Sequence, residues 1–303
     1  MQKPPPLPAY EIERFHDSLS NWGRFGKRDQ LGTLNLISDQ KRVEASSLIR
    51  TGRTVSCSRT LPTRPDIDNP NPVQHHMIGT ASEGWGGDYF GMAPHGFATS
   101  HIDALCHIFH KSKIYNGYSI ETVTAHGALE LGIHELKDGI ASRGVLLDIP
   151  RSRGVPYLDA GDPFFPEDLT SAEEDANLTV ESGDVLFIRT GRWKLKEKQG
   201  AWNPNERLAG LDASCLPWLH EKGVAALGSD GASDVIPSRI EGISLPIHTV
   251  AIVAMGLHLL DNLELEQLAE VCSTEARWEF FIAIAPLLLF RGTASPVNPI
   301  AIF

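Results

Sequence analysis

Three nearly continuous apolar runs constrain this chain more than any other feature: residues 144–149, 184–190 and 223–228. They lack the strict in/out alternation of a strand with one wet face, so they predict strands covered on both faces. Residues 53–58 alternate and predict a further strand. Helical candidates at 40–50, 215–222 and 264–271 lie before, between and after these runs. The expected class is an α/β domain. Residues 62–94, rich in Pro, Gly and polar side chains, predict a long functional loop. The Pro-rich first ten residues predict an extended arm, able to pack on another subunit.

A chain of 303 residues with 42% hydrophobic content can bury a full core, and no internal boundary is obvious. A net charge of −11 opposes a nucleic-acid surface, which leaves a small molecule as the expected partner. No apolar run reaches membrane-spanning length, and the start lacks the order of a secretory signal. A soluble, cytoplasmic protein with no membrane partner is expected. Cys57, Cys106, Cys215 and Cys272 form no Cys-x-x-Cys pair, which predicts reduced thiols rather than a disulfide framework or thiolate zinc site.

Chemistry concentrates in Ser100-His101-Ile102-Asp103-Ala104-Leu105-Cys106-His107. On an extended segment His101 and Asp103 leave the same face and can converge on one cation. The plain structural reading is a hydrogen-bonded His/Asp pair. Apolar neighbours Ile102, Leu105 and Ile108 weigh against it, because they imply burial, where an unpaired carboxylate is costly and a cation removes the cost. His107 has the same parity, but a straight strand carries it roughly 13 Å past Asp103 at about 3.3 Å per residue. It can reach the site only through a turn, as an acid or base rather than a ligand. Cys106 as a nucleophile is disfavoured, since adjacent strand residues face opposite ways.

Two side chains hold a metal weakly, so partners are expected elsewhere. His248 opens a short helical run after Pro246, and Gly256 can close it. A helix rising about 12 Å over eight residues, followed by a strand returning about 16 Å over five, brings Asp261 back towards His248. One continuous helix would separate them by about 20 Å. The plain alternatives are a core histidine for His248 and a helix cap for Asp261. Asp230, at the end of an apolar strand, is a third carboxylate candidate, although turn chemistry also explains it.

The motif around His101 resembles the Thr-His-x-Asp-x-Pro-x-His signature of the "putative cyclase" family, which includes bacterial kynurenine formamidase and isatin hydrolase. Residues 183–191 are similar to its central strand, Gly228-Ser229-Asp230 to its Gly-Thr-Asp turn, and His248, Gly256 and Asp261-Asn262-Leu263 to its distal half-site. Segments 21–26, 31–35 and 295–299 look like a longer-chained branch of that family. The resemblance implies a compact, swivelling β/β/α-type single domain with a mixed sheet, here residues 51–303. Residues 1–50 would form an arm and helical extension packed on it. It further implies a homodimer or homotetramer and metal-dependent hydrolysis of an amide or lactone in a small cyclic or aromatic substrate. His101, Asp103, His248 and Asp261 would be metal ligands and His107 the acid/base. Phe97 stands where the family places another ligand, with His95 a nearby candidate substitute, and Asp261 stands where Glu is usual. One divalent ion is therefore expected, zinc or manganese first and iron(II) third. Trp85, Phe97 and Trp22 are candidate substrate walls. The rival readings are a metal-dependent lyase or cyclase passing through an enolate, and a binding protein without turnover.

Overall fold

The computed structural model describes residues 3–303. Eleven strands carry the account: β1 (Thr54–Ser56), β2 (Gln74–Gly79), β3 (Gly87–Gly91), β4 (His101–Asp103), β5 (Ile140–Asp148), β6 (Val185–Arg189), β7 (Ala226–Ser229), β8 (His258–Asp261), β9 (Glu279–Ile284), β10 (Ala294–Pro296) and β11 (Ile300–Ile302). All but β2 and β3 build one nine-stranded sheet in the order β1-β11-β9-β5-β6-β7-β8-β4-β10. The expected single α/β domain with a mixed sheet is what the chain forms.

The apolar runs become the middle of that sheet. β5, β6, β7 and β8 are mutually parallel, and antiparallel pairs flank them on both sides. Parallel strands are buried on both faces, which is why their sequences do not alternate. Val185, Leu186, Phe187 and Ile188 are all fully buried. The helices α1 (Ala9–Ser18), α2 (Asp39–Ser46), α3 (Pro166–Ala176), α4 (Arg192–Gln199), α5 (Leu216–Lys222) and α6 (Glu266–Glu275) cover the sheet. Ile12 and Phe15 of α1 belong to the same hydrophobic core as the sheet. Among the described residues no helix is long and apolar enough to cross a membrane.

Two expectations change on folding. The stretch 62–94 is not all loop, because β2 and β3 pair as an antiparallel hairpin within it. The N-terminal arm touches its own chain, where Lys3 Nζ is 3.0 Å from Asp162 Oδ1 and Arg239 hydrogen-bonds the Pro4 carbonyl, and is no such change. Asp261 is the last residue of β8 and not a helix cap, since α6 starts only at Glu266.

The out-and-back path after His248 does form, through a helix of unusual pitch. Pro246–His248 is an α-turn that runs on as the π-helix Thr249–Met255, ended by Gly256 at φ +66°. A Cβ on Gly256 would meet the Tyr115 ring at 2.4 Å. Glycine is thus required there by both space and backbone.

Candidate metal centre

β4 and β8 are antiparallel neighbours, with Asp261 directly opposite His101. This register brings the two halves of the motif together across one strand pair. Asp103 leaves β4 on the same face as His101 and lies fully buried between two groups of donors. His95 Nδ1 is 3.1 Å and His101 Nε2 3.5 Å from its Oδ1. His248 Nε2 is 3.7 Å from its Oδ2, and 3.3 Å from Asp261 Oδ2. Donors bound tetrahedrally at about 2.0–2.1 Å stand roughly 3.3 Å apart, and these spacings bracket that value. The donors form two triads, His95/His101/Asp103 and Asp103/His248/Asp261.

The fit to a cation is also visible in what is left unpaired. Both oxygens of Asp103 and Nδ1 of His95 are buried without a hydrogen-bond partner, a cost of about 1–3 kcal/mol per neutral group and more for a charged one. A divalent ion would satisfy all three. Hydrogen bonds on the far side of each imidazole aim the donors inward. His101 Nδ1 is 2.8 Å from the Thr99 carbonyl, His95 Nε2 is 3.1 Å from Thr293 Oγ1, and His248 Nδ1 is 2.6 Å from Asp234 Oδ2. Such outer contacts fix which ring nitrogen faces the metal.

Electrostatics follow from this crowding. Burial alone would raise the Asp103 carboxyl, but the surrounding imidazoles, His95 first, pull it below the usual carboxylate range. Burial opposes charge on His248, yet Asp261 and Asp234 together hold its pKa well above the ordinary value. His107 lies against His95, ring centroids 3.7 Å apart and nearly parallel. Burial pushes its pKa down to about 4, against the opposing pull of Asp103, so the free imidazole is neutral at pH 7. The turn that brings it back comes straight after β4, where the His107 amide donates to the Ala104 carbonyl.

The structure gathers His101, Asp103, His248 and Asp261, with His95 and His107 beside them. Phe97 lines a cavity of about 220 Å³ next to His95, together with Asp68, Asn69, Thr99 and Asn205. Trp22 and Trp85 do not line this cavity. Trp22 donates from Nε1 to Val253 of the π-helix and is 42% exposed. Trp85 lies over Gly79 and Gly87 of the hairpin, where a Cβ would meet the indole at 2.5 and 2.1 Å. Asp230 is not a free donor, because its oxygens accept from the amides of Thr190, Gly191 and Arg192 at the start of α4. The Cys106 thiol is buried and pushed up to about 12, which opposes a nucleophilic role.

Sequence reasoning missed two positioning residues. Asp234 holds His248 and also accepts the amides of Ile247 and His248. Asn262, at φ +57°, donates to the carbonyls of Gly96 and Thr99 and accepts from Arg192. Asn262 thereby ties the His95–Thr99 segment to the end of β8. An Asn after a strand was a visible turn signal. Nothing in the spacing of Asp234 pointed to His248.

An α/β domain with a buried His/Asp cluster at the edge of a mixed sheet is the class defined here. The family model described as "Putative cyclase" matches residues 40–233, and the chain belongs to that family. A solved structure described as a novel cyclase is 30% identical, with 95% of this chain and 99% of that chain covered and a TM-score of 0.86. Isatin hydrolase A from Ralstonia solanacearum is 22% identical over 82% of this chain and 91% of its own, with a TM-score of 0.59. A predicted metal-dependent hydrolase from Bacillus stearothermophilus is 15% identical over 82% and 97%, with a TM-score of 0.53. No curated protein sequence matches significantly. The last two likenesses show a shared fold.

Proposed function

We propose that the protein is a metal-dependent hydrolase acting on an amide or lactone bond of a small cyclic or aromatic molecule. The observation that carries this reading is Asp103, a fully buried carboxylate with both oxygens unpaired amid inward-aimed imidazoles. A divalent ion there would lower the pKa of a coordinated water from about 15.7 to about 7 and polarise a carbonyl. His101, Asp103, His248 and Asp261 would hold it. His107, neutral and stacked on His95, is placed to take a proton from water and hand it to the leaving nitrogen or oxygen. The cavity beside His95, at about 220 Å³, is smaller than the roughly 300–1,000 Å³ of a drug-sized pocket and suits a compact substrate. Phe97 supplies its apolar wall.

The expectation of a single ion rested on Phe97 standing where another ligand is usual. His95 supplies a nitrogen on the same carboxylate from two residues earlier, which favours a second ion sharing Asp103. Zinc, manganese and iron(II) all suit imidazole and carboxylate donors.

Elemental analysis of the purified protein tests the reading. One or two equivalents of zinc, manganese or iron, lost in both His101→Ala and Asp103→Ala, are expected, with two falling to one in His95→Ala if the second ion is present. A parent that stays metal-free after incubation with all three metals would sink the mechanism. Turnover in ¹⁸O-labelled water then separates hydrolysis, which incorporates label, from the enolate-forming lyase reaction, which does not.

A further inference from the structure

Besides Asp103, one carboxylate among the described residues is buried with an oxygen unpaired, and it is Asp68. Its side chain is 4% exposed; Oδ2 accepts from Lys196 Nζ at 2.5 Å, while Oδ1 is without a hydrogen-bond partner among the described residues. Burying a carboxylate oxygen unpaired is costly, so in a native fold it calls for an explanation. A tight turn within the expected functional loop fixes its place. The Asp66 and Asn69 backbones bond each other in both directions, at 3.1 and 2.9 Å, and Asn69 Nδ2 donates to the Arg64 carbonyl at 2.8 Å.

Asp68 stands in the wall shared by two cavities. One is the cavity of about 220 Å³ that holds His95 and Phe97; the other, of about 320 Å³, is lined by Lys196, Arg59 and Trp193. Lys196 lines the second and not the first. With Oδ2 committed to Lys196, Oδ1 is the oxygen left for the side of His95. Among the described residues no Lys or Arg lines the His95 cavity, and Asp68 is its one carboxylate. At that wall the cavity offers an acceptor to a ligand's N–H and no cation to attract an anionic group.

We propose that Asp68 is a specificity-determining residue, whose Oδ1 accepts a hydrogen bond from an N–H of the bound molecule while His95 and Phe97 border its other side. The cavity thereby selects against molecules of the same shape that present only acceptors, because they leave a buried acceptor unpaired. This rests on the His95 cavity being the substrate site, and it narrows the amide-or-lactone reading to molecules that carry an N–H. That N–H belongs either to the ring amide itself or to an amino substituent.

Calorimetric titration of the purified protein with three probes of one ring shape tests it: phthalide, a lactone without N–H; isoindolinone, the matching lactam; and an aminophthalide, a lactone with an N–H off the ring. Isoindolinone or the aminophthalide should bind roughly 10-fold or more tightly than phthalide, the worth of one hydrogen bond to a carboxylate. Which of them does so identifies the source of the N–H. In Asp68→Asn, Lys196 takes the single amide oxygen and the NH₂ group faces the cavity, so the preference should vanish or reverse. Should that variant misfold, Lys196→Met decides, because a carboxylate freed of its partner should widen the preference. Three probes that bind the parent alike or not at all overturn the proposal, as does a preference that Asp68→Asn leaves unchanged or that Lys196→Met fails to widen. An unchanged preference would leave Asp68 only fastening its loop to α4. Binding and hydrolysis fail separately: a preference without ¹⁸O incorporation keeps the Asp68 assignment and removes the hydrolase reading, and incorporation without a preference does the converse.

Discussion

Asp261 lies directly opposite His101 across the antiparallel pair of β8 and β4, so two side chains far apart in sequence share one face by strand register alone. A slip of one residue would send Asp261 to the other face of the sheet. The Gly256 turn sets where β8 begins, and therefore sets this register.

Gly256→Ala should disturb that turn. Left-handed backbone costs a non-glycine residue about 1–2 kcal/mol, and overlap with the Tyr115 ring adds to it. A drop of at least that size in unfolding free energy is expected from urea denaturation, together with loss of metal from the folded fraction. A variant as stable as the parent would refute the requirement.

Asp234→Asn keeps the size of the side chain but removes the charge that holds His248 Nδ1. Loss of an outer partner of this kind costs about 10–100-fold in metal affinity. Competition with a chelator should show that loss while circular dichroism stays unchanged. Equal affinity would mean that Asp234 serves only the amides of Ile247 and His248.

Asn262→Gly preserves the positive φ but removes the bonds to Gly96, Thr99 and Arg192. Weaker metal binding through His95 is expected, with a stability loss of about 1–3 kcal/mol from buried groups left unpaired. Asn262→Asp should be worse than Asn262→Gly for Gly96 and Thr99, because both lose the donor but only the carboxylate sets a negative charge against their carbonyl oxygens.

Acid should act on a cluster away from the centre. His16 of α1 stacks on His110 at 3.6 Å, and burial lowers its pKa to about 4, with His110 adding to the effect. A folded pKa below the unfolded value of about 6.5 contributes stability above pH 6.5, lost as pH falls from there towards 4. His16→Leu should flatten the decline of Tm over that window by up to about one proton's worth of slope. An unchanged slope would show that His16 is not the group being charged.

The parts of this molecule that were legible in the sequence are those fixed by local pattern. The runs around Leu147, Phe187 and Ala226 announced buried strands because both of their faces are covered, and Gly256 announced a reversal because few other residues accept its backbone angle. His101 and Asp103 share a strand, so their common face followed from a period of two. What stayed hidden depends on distant chain segments. Asp234 reaches His248 through a loop that has no periodicity, and the nitrogen offered by His95 depends on Thr293, contributed from β10's approach. Trp85 was a candidate pocket wall as an aromatic side chain, and what the sequence did not show is that Gly79 and Gly87 make room for its indole within the hairpin.

The order of strands around β4 has a kinetic meaning. β4 is seated between β8 and β10, and the His258 side chain reaches the Asp103 carbonyl across 155 residues of sequence. Contacts of such long range close late in folding, since chain entropy must be spent before they are rewarded. The donors around Asp103 therefore meet only after the parallel strands have zipped together. On the proposed function, a cation arriving from solution would encounter a finished sheet rather than a nascent one, and metal loading would be a step of maturation rather than a nucleus for folding.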